Sequence, residues 1–178
     1  MAATLRAFLE HACLHYRPDD DPLRRATARG WLLADPTLGT STLWGAAATA
    51  NRQAVAERLA AGDAVDAPGP DGWVPLLHLC YSRVWCADPD AAGVVELLLA
   101  AGADPGAHFV AWGSPFTALT GAIGEGERGL DVLPPHPEAE ALVDRLLAAG
   151  ADPNDSQGLY NTMLRPNTEW LRRLLRAG

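Results

Sequence analysis

Apolar residues recur along this chain at helical spacing, and the clearest runs each stop at a glycine. Counting back eight, seven, four and three positions from Gly102 gives Val94, Val95, Leu98 and Leu99; from Gly150, Leu142, Val143, Leu146 and Leu147; from Gly178, Trp170, Leu171, Leu174 and Leu175. Those offsets lie on one face of a 3.6-residue helix. A weaker copy, Ala54, Val55, Arg58 and Leu59, precedes Gly62. Each run predicts a helix that ends where glycine takes the left-handed conformation without a Cβ penalty. In two copies the chain continues Ala-Asp-Pro, ending at Pro105 and Pro153, and proline lacks the N–H that a further turn needs.

Upstream of each run lies a shorter helical signal, in Thr40–Thr49, Asp71–Cys80, Ser114–Ile123 and Ser156–Leu164. Aligned on Leu43, Leu76, Leu119 and Leu159, these signals are 33, 43 and 40 residues apart. The repeating unit is a turn, a short helix, a loop, a longer helix and a glycine stop. This unit resembles the ankyrin repeat, whose signature is T-P-L-H-x-A opening the first helix and a Leu-rich second helix running into G-A-D-x-N, on a basic period of 33 residues. Gly102–Gly106 (GADPG) and Gly150–Asn154 (GADPN) carry the second half of that signature. The first half is looser, with Val74-Pro75-Leu76-Leu77 and Thr117-Ala118-Leu119-Thr120, so the histidine that ties down the turn in the family is missing from both places. With LCYSR after one first helix and an acidic GEGE loop in the next unit, the chain is similar to actinobacterial ankyrin repeat proteins of unassigned activity. The resemblance implies an all-α ankyrin-repeat solenoid of helix-turn-helix units with short β-hairpin-like loops, acting as a protein-binding scaffold.

The expected organisation is one continuous domain, with an N-terminal helical capping pair in residues 1–37 and repeats at 38–70, 71–112, 113–155 and 156–178. Leu5, Phe8, Leu9, Ala12, Cys13 and Tyr16 share one helical face. After the break at PDDDP, Asp21-Pro22 forms a cap and first-turn pair for a second helix. Nothing follows Gly178 to cover the last repeat, which points either to a fragment of a longer array or to an end that self-associates.

Two units carry insertions between their helices, around Tyr81–Gly93 and Gly124–Ala139. Such insertions often mark a binding face. If the units stack in register, Tyr81, Arg83 and Trp85 fall beside Glu125 and Glu127, a recognition-type rim of aromatics, a guanidinium and carboxylates. On the alternative reading, Arg83 and a glutamate form a structural ion pair that pins the insertions. Trp73, His108, Phe109 and Trp112 lie in the hairpins and complete the candidate binding set; for Phe109 and Trp112 the alternative is that they fold back over the helices. The function expected is recognition of an unidentified protein or peptide. A small-molecule or catalytic pocket walled by the insertions is the rival.

Composition narrows this further. Against 22 acidic residues stand 14 basic ones, all arginine, for a net charge of −8, which disfavours generic phosphate-backbone binding and so a nucleic-acid partner. The absence of lysine excludes Schiff-base and P-loop chemistry, and the Ala- and Arg-rich usage points to a GC-rich genome. Cys13, Cys80 and Cys86 form no C-x-x-C, so neither a disulfide framework nor a zinc site is expected. His11 and His15 are spaced i, i+4 without a third ligand nearby, so no metal or cofactor is expected. His78 and Cys80 stand two apart and do not face each other on a helix, and no hydrolase, metalloprotease or phosphate-loop motif occurs; the chain is expected not to be an enzyme. With no signal-peptide core and no membrane-length apolar run, the expected location is the cytoplasm, away from membranes.

Overall fold

A computed structural model describes residues 3–164 and 168–178; residues 165–167, inside the fourth expected repeat, and Met1 and Ala2 lie outside it. The elements in chain order are α1 (Leu5–Ala12), α2 (Pro22–Ala34), a 3-10 turn (Pro36–Gly39), α3 (Leu43–Ala48), α4 (Arg52–Ala60), α5 (Pro75–Tyr81), α6 (Ala91–Ala100), β1 (His108–Ala111), β2 (Ser114–Thr117), α7 (Ala118–Ile123), α8 (Ala139–Ala148), α9 (Ser156–Met163) and α10 (Glu169–Ala177). The short helices α3, α5, α7 and α9 pack side by side in one row, and the longer α4, α6 and α8 form a second row behind them.

The apolar face is the one that the glycine-stop spacing marks out. Val94, Val95 and Leu98 of α6, and Leu142, Val143 and Leu146 of α8, are buried in a single core, which Trp170 and Leu174 of α10 join. Leu175 is exposed. Gly62, Gly102 and Gly150 all hold positive φ, at 94, 96 and 101°. Behind each, an amide reaches back to a helical carbonyl: Asp63 N–H to Arg58, Ala103 to Leu98 and Ala151 to Leu146. These are the long backbone bonds of a Schellman ending.

The expected all-α ankyrin-type solenoid requires correction. The chain is mostly helical but carries a two-stranded antiparallel sheet, β1 against β2, in register His108–Thr117 through Ala111–Ser114. The packing is also not confined to neighbours, as a solenoid's would be. Leu14 N–H donates to the Tyr81 carbonyl and Arg83 N–H to Ala12, so the chain after α1 lies antiparallel to the end of α5. Arg25 of α2 donates to the carbonyls of Asp131 and Val132, and Trp112 Nε1 donates to that of Tyr16. The N-terminal part thus spans several units, which the local period of 3.6 residues could not reveal.

The turn before α5 is held by a histidine after all. His78 Nε2 meets both oxygens of Asp71, at 3.2 and 2.9 Å, from a position one place later than the ankyrin signature puts it. Burial would raise the Asp71 carboxyl, and the bond from His78 brings it below its ordinary value. The next turn is tied differently: Thr117 and Thr120 both donate their hydroxyls to Asp155, which also caps α9 through Gln157 and Gly158 N–H.

Gly102 and Gly121 separate conformational from steric demands. A Cβ on Gly102 would meet nothing within 4 Å, so Gly102→Ala carries only the left-handed penalty, about 1 kcal/mol. On Gly121 a Cβ would fall 2.4 Å from the Tyr81 ring. Gly121→Ala is expected to lose several times more, about 3 kcal/mol, because both neighbours are fully packed. Urea denaturation of the two variants checks the order; equal losses would contradict this packing.

Candidate functional site

The first-helix row is held at its C-terminal ends, where the last carbonyls of a helix have no intrahelical partner. Arg83, buried just after α5, supplies many of the missing donors. Its Nε donates to Pro134 O at 2.9 Å, one terminal nitrogen to Cys80 O at 2.9 Å and Ser82 O at 2.7 Å, and the other to Gly121 O of α7 at 2.8 Å. Burial draws this guanidinium down to about 10, still charged at neutral pH. His136 N–H adds a bond to Ala122 O, and Glu138 reaches back to cap α6 through Ala91 and Ala92 N–H. The insertion between α7 and α8 is therefore fixed at its far end. The other insertion is stitched inward too: Val84 is buried against α1 and α2 residues, and Cys86 N–H donates to Thr49 O.

The expected rim does not assemble. Arg83 and Glu125 are buried, and Tyr81 is fully buried with its hydroxyl donating to Thr117 O at 2.7 Å. Trp85 turns to His136, ring centroids 5.7 Å apart. Trp73 is buried and stacks on Phe109 at 4.3 Å, and Phe109 stacks in turn on Phe116. His108 is exposed, its ring nitrogen near the Gly106 carbonyl. Of the nine candidates, Trp112 and Glu127 come together at an open cleft.

That cleft has a volume of about 670 Å³, within the range of ligand sites. Its floor is Phe116 and Leu133; one wall is the turn Tyr16-Arg17-Pro18, another the segment Gly126-Glu127-Arg128, and a third the α9 residues Gln157, Tyr160 and Asn161. Trp112 stands at its mouth, 72% exposed, with its indole N–H held 2.8 Å from the Tyr16 carbonyl. Tyr160 donates its hydroxyl to Glu127, and that carboxylate raises the phenol above its ordinary value. Asn161 donates to Tyr16 Oη and Gly124 O. Arg128 and Tyr160 carry no sequence signal of a site, and Tyr16, expected on the apolar face of the first helix, lies beyond the end of α1 and lines the cleft instead, because the three belong to different segments. Only Tyr16, two residues before the PDDDP break, and Arg128, inside GEGERG, stand beside recognisable signals.

The cleft's N-terminal wall is a tight turn. Asp20 is buried and accepts the His15 and Arg17 amides; burial raises its carboxyl, and these bonds oppose the rise. His15, buried on Trp73 at 4.6 Å, finds no hydrogen-bond partner for either ring nitrogen among the described residues. Among the described residues, no group of three metal-binding side chains occurs and no helix is long and apolar enough to cross a membrane. Compared with family models, curated proteins and solved structures, the chain matches none.

Two outcomes follow from the buried groups. Arg83→Met is expected to lose at least about 3 kcal/mol by orphaning backbone carbonyls, lowering Tm by about 10 °C. Arg83→Lys should recover little, because the planar fork and not the charge matches four acceptors. Full recovery in the lysine variant would contradict the clamp. Burial depresses the His15 imidazole from 6.5 to about 3. Below 6.5 the unfolded chain takes up a proton that the folded one refuses, so stability is lost as pH falls. The loss is about 1.4 kcal/mol per unit. His15→Phe should flatten the urea-derived stability between pH 6.5 and 5 by that slope, and an unchanged slope would show the ring to be accessible.

Proposed function

We propose that the protein is a recognition module that binds a short peptide segment in the cleft between Trp112, Tyr16 and Tyr160. Backbone strain is the observation that carries this reading. Among the described residues, four that are not glycine have positive φ: Tyr16 (56°), Ala50 (52°), Trp112 (54°) and Glu125 (60°). Tyr16 and Trp112 line the cleft, and Glu125 directly precedes its Gly126-Glu127-Arg128 wall. Such conformations cost about 1–3 kcal/mol each and concentrate where function requires them. Trp112 is the sharpest case, because Trp112 and Gly113 (φ 76°) are the two central residues of the β1–β2 hairpin. A two-residue turn with both φ positive favours Asn-Gly. A tryptophan there gains no burial, yet it presents its indole face at the mouth of the cleft.

An aromatic anchor at an open, polar-edged cleft matches the composition of binding hot spots. The hydrogen bonds from Trp112 to Tyr16 and from Tyr160 to Glu127 hold both rings in place, so a ligand orders little on binding. The opening, rimmed by three chain segments, suits an extended peptide whose side chains drop onto Phe116 and Leu133. The insertion between α5 and α6 takes no part.

Panning a random dodecapeptide library on the purified protein tests this. Enriched peptides are expected to bind wild type and to lose at least about tenfold, or 1.4 kcal/mol, with Trp112→Asn. That substitution should leave Tm unchanged or raised, since asparagine suits the turn better than tryptophan. Enriched peptides that bind Trp112→Asn as well as wild type would overturn the reading.

A further inference from the structure

Charge in the cleft is opposite in sign to that of the whole chain, and this points to the ligand. Most described arginines are engaged. Arg6, Arg24, Arg52, Arg58, Arg145 and Arg173 meet carboxylates, while Arg25 and Arg83 are turned to backbone carbonyls. Arg29, Arg172 and Arg176 lie apart on α2 and α10. Arg17 and Arg128 are exposed, line the same cleft, and meet no carboxylate among the described residues. One terminal nitrogen of Arg128 donates to the Arg17 carbonyl at 2.7 Å, which draws the second guanidinium onto the turn that carries the first.

The acidic neighbours are already committed. Glu127 accepts the Tyr160 hydroxyl, Asp19 pairs with Arg24, and Asp20 is buried under the His15 and Arg17 amides. Among the residues that line the opening, two guanidinium groups therefore stand against one hydrogen-bonded carboxylate, in a chain of net charge −8. A planar guanidinium fork matches a carboxylate in two-point geometry. Phe116 and Leu133 below and the Trp112 ring at the mouth offer apolar contact within the same opening.

Resting on the peptide reading above, we infer that the segment bound is acidic: an aromatic or large apolar side chain seated on Phe116 and Leu133, flanked by aspartate or glutamate that Arg17 and Arg128 receive. Such complementarity raises the association rate and rejects basic segments.

The test uses three blocked pentapeptides, acetyl-Gly-X-Phe-X-Gly-amide with X as Glu, Gln or Lys, titrated into the full chain while the Trp112 indole N–H is followed by NMR. The Glu peptide should shift that resonance and bind about tenfold tighter than the Gln peptide at low salt, an advantage that falls as salt screens it. Arg17→Gln, alone and combined with Arg128→Gln, should abolish the preference while keeping Tm, both side chains being exposed. If the Gln or Lys peptide binds as well as the Glu peptide and still shifts Trp112, the acidic specificity is overturned and the peptide cleft stands. If no peptide shifts Trp112 at millimolar concentration, both are overturned.

Discussion

Everything at the front of this molecule depends on satisfying the C-terminal carbonyls of short helices. Helices α5 and α7 have seven and six residues, so a large share of their carbonyls find no partner within the helix. In the core these groups are costly if left unpaired. The buried guanidinium of Arg83 answers carbonyls at the end of α5, on α7 and in the loop before α8 at once. Leu14 takes the Tyr81 carbonyl, and His136 takes that of Ala122. One charged side chain and two backbone amides thus lock an N-terminal segment, two helices and an insertion into a single arrangement.

The lock explains where the cleft lies. Once Leu14 is docked on α5, the turn through Tyr16 and Asp20 is carried across the helix row towards the hairpin tip, where Trp112 reaches its backbone. The insertion, fixed at Pro134, Leu133 and His136, brings Glu127 and Arg128 to the opposite wall. Residues from four parts of the sequence meet there without belonging to one motif. Their strained backbone is tolerable because the buried network beneath over-determines it.

The helices and their stops were legible in the sequence because both are local: the 3.6-residue period marks the buried faces of α6 and α8, and Gly102 and Gly150 sit where a left-handed ending is needed. The overall class was not. Register of units along a chain suggests a hairpin-like loop around Trp112, but it does not report that residues after α1 would run back along α5. The site was half visible. Trp112 and Glu127 could be picked out as an aromatic and a carboxylate in loops, whereas Tyr16, Arg17, Arg128 and Tyr160 become a site only through tertiary packing. Tyr81 reads as a rim residue, and Arg83 either as one or as a structural pin held by a glutamate; its partners are carbonyls instead, because a polar side chain in an insertion gives no local sign that helix ends will enclose it.

Hydrogen exchange of the arginine side chains, followed by NMR at the Nε–H groups, reads the clamp directly. The Arg83 Nε–H should persist as long as the backbone amides of Leu14 and Arg83, since all three open only when the helix row does. Arg17, exposed at the cleft, serves as the freely exchanging reference. An Arg83 Nε–H that exchanges as fast as that of Arg17 would mean that the guanidinium is not enclosed between the helix ends, and the arrangement built on it would fall.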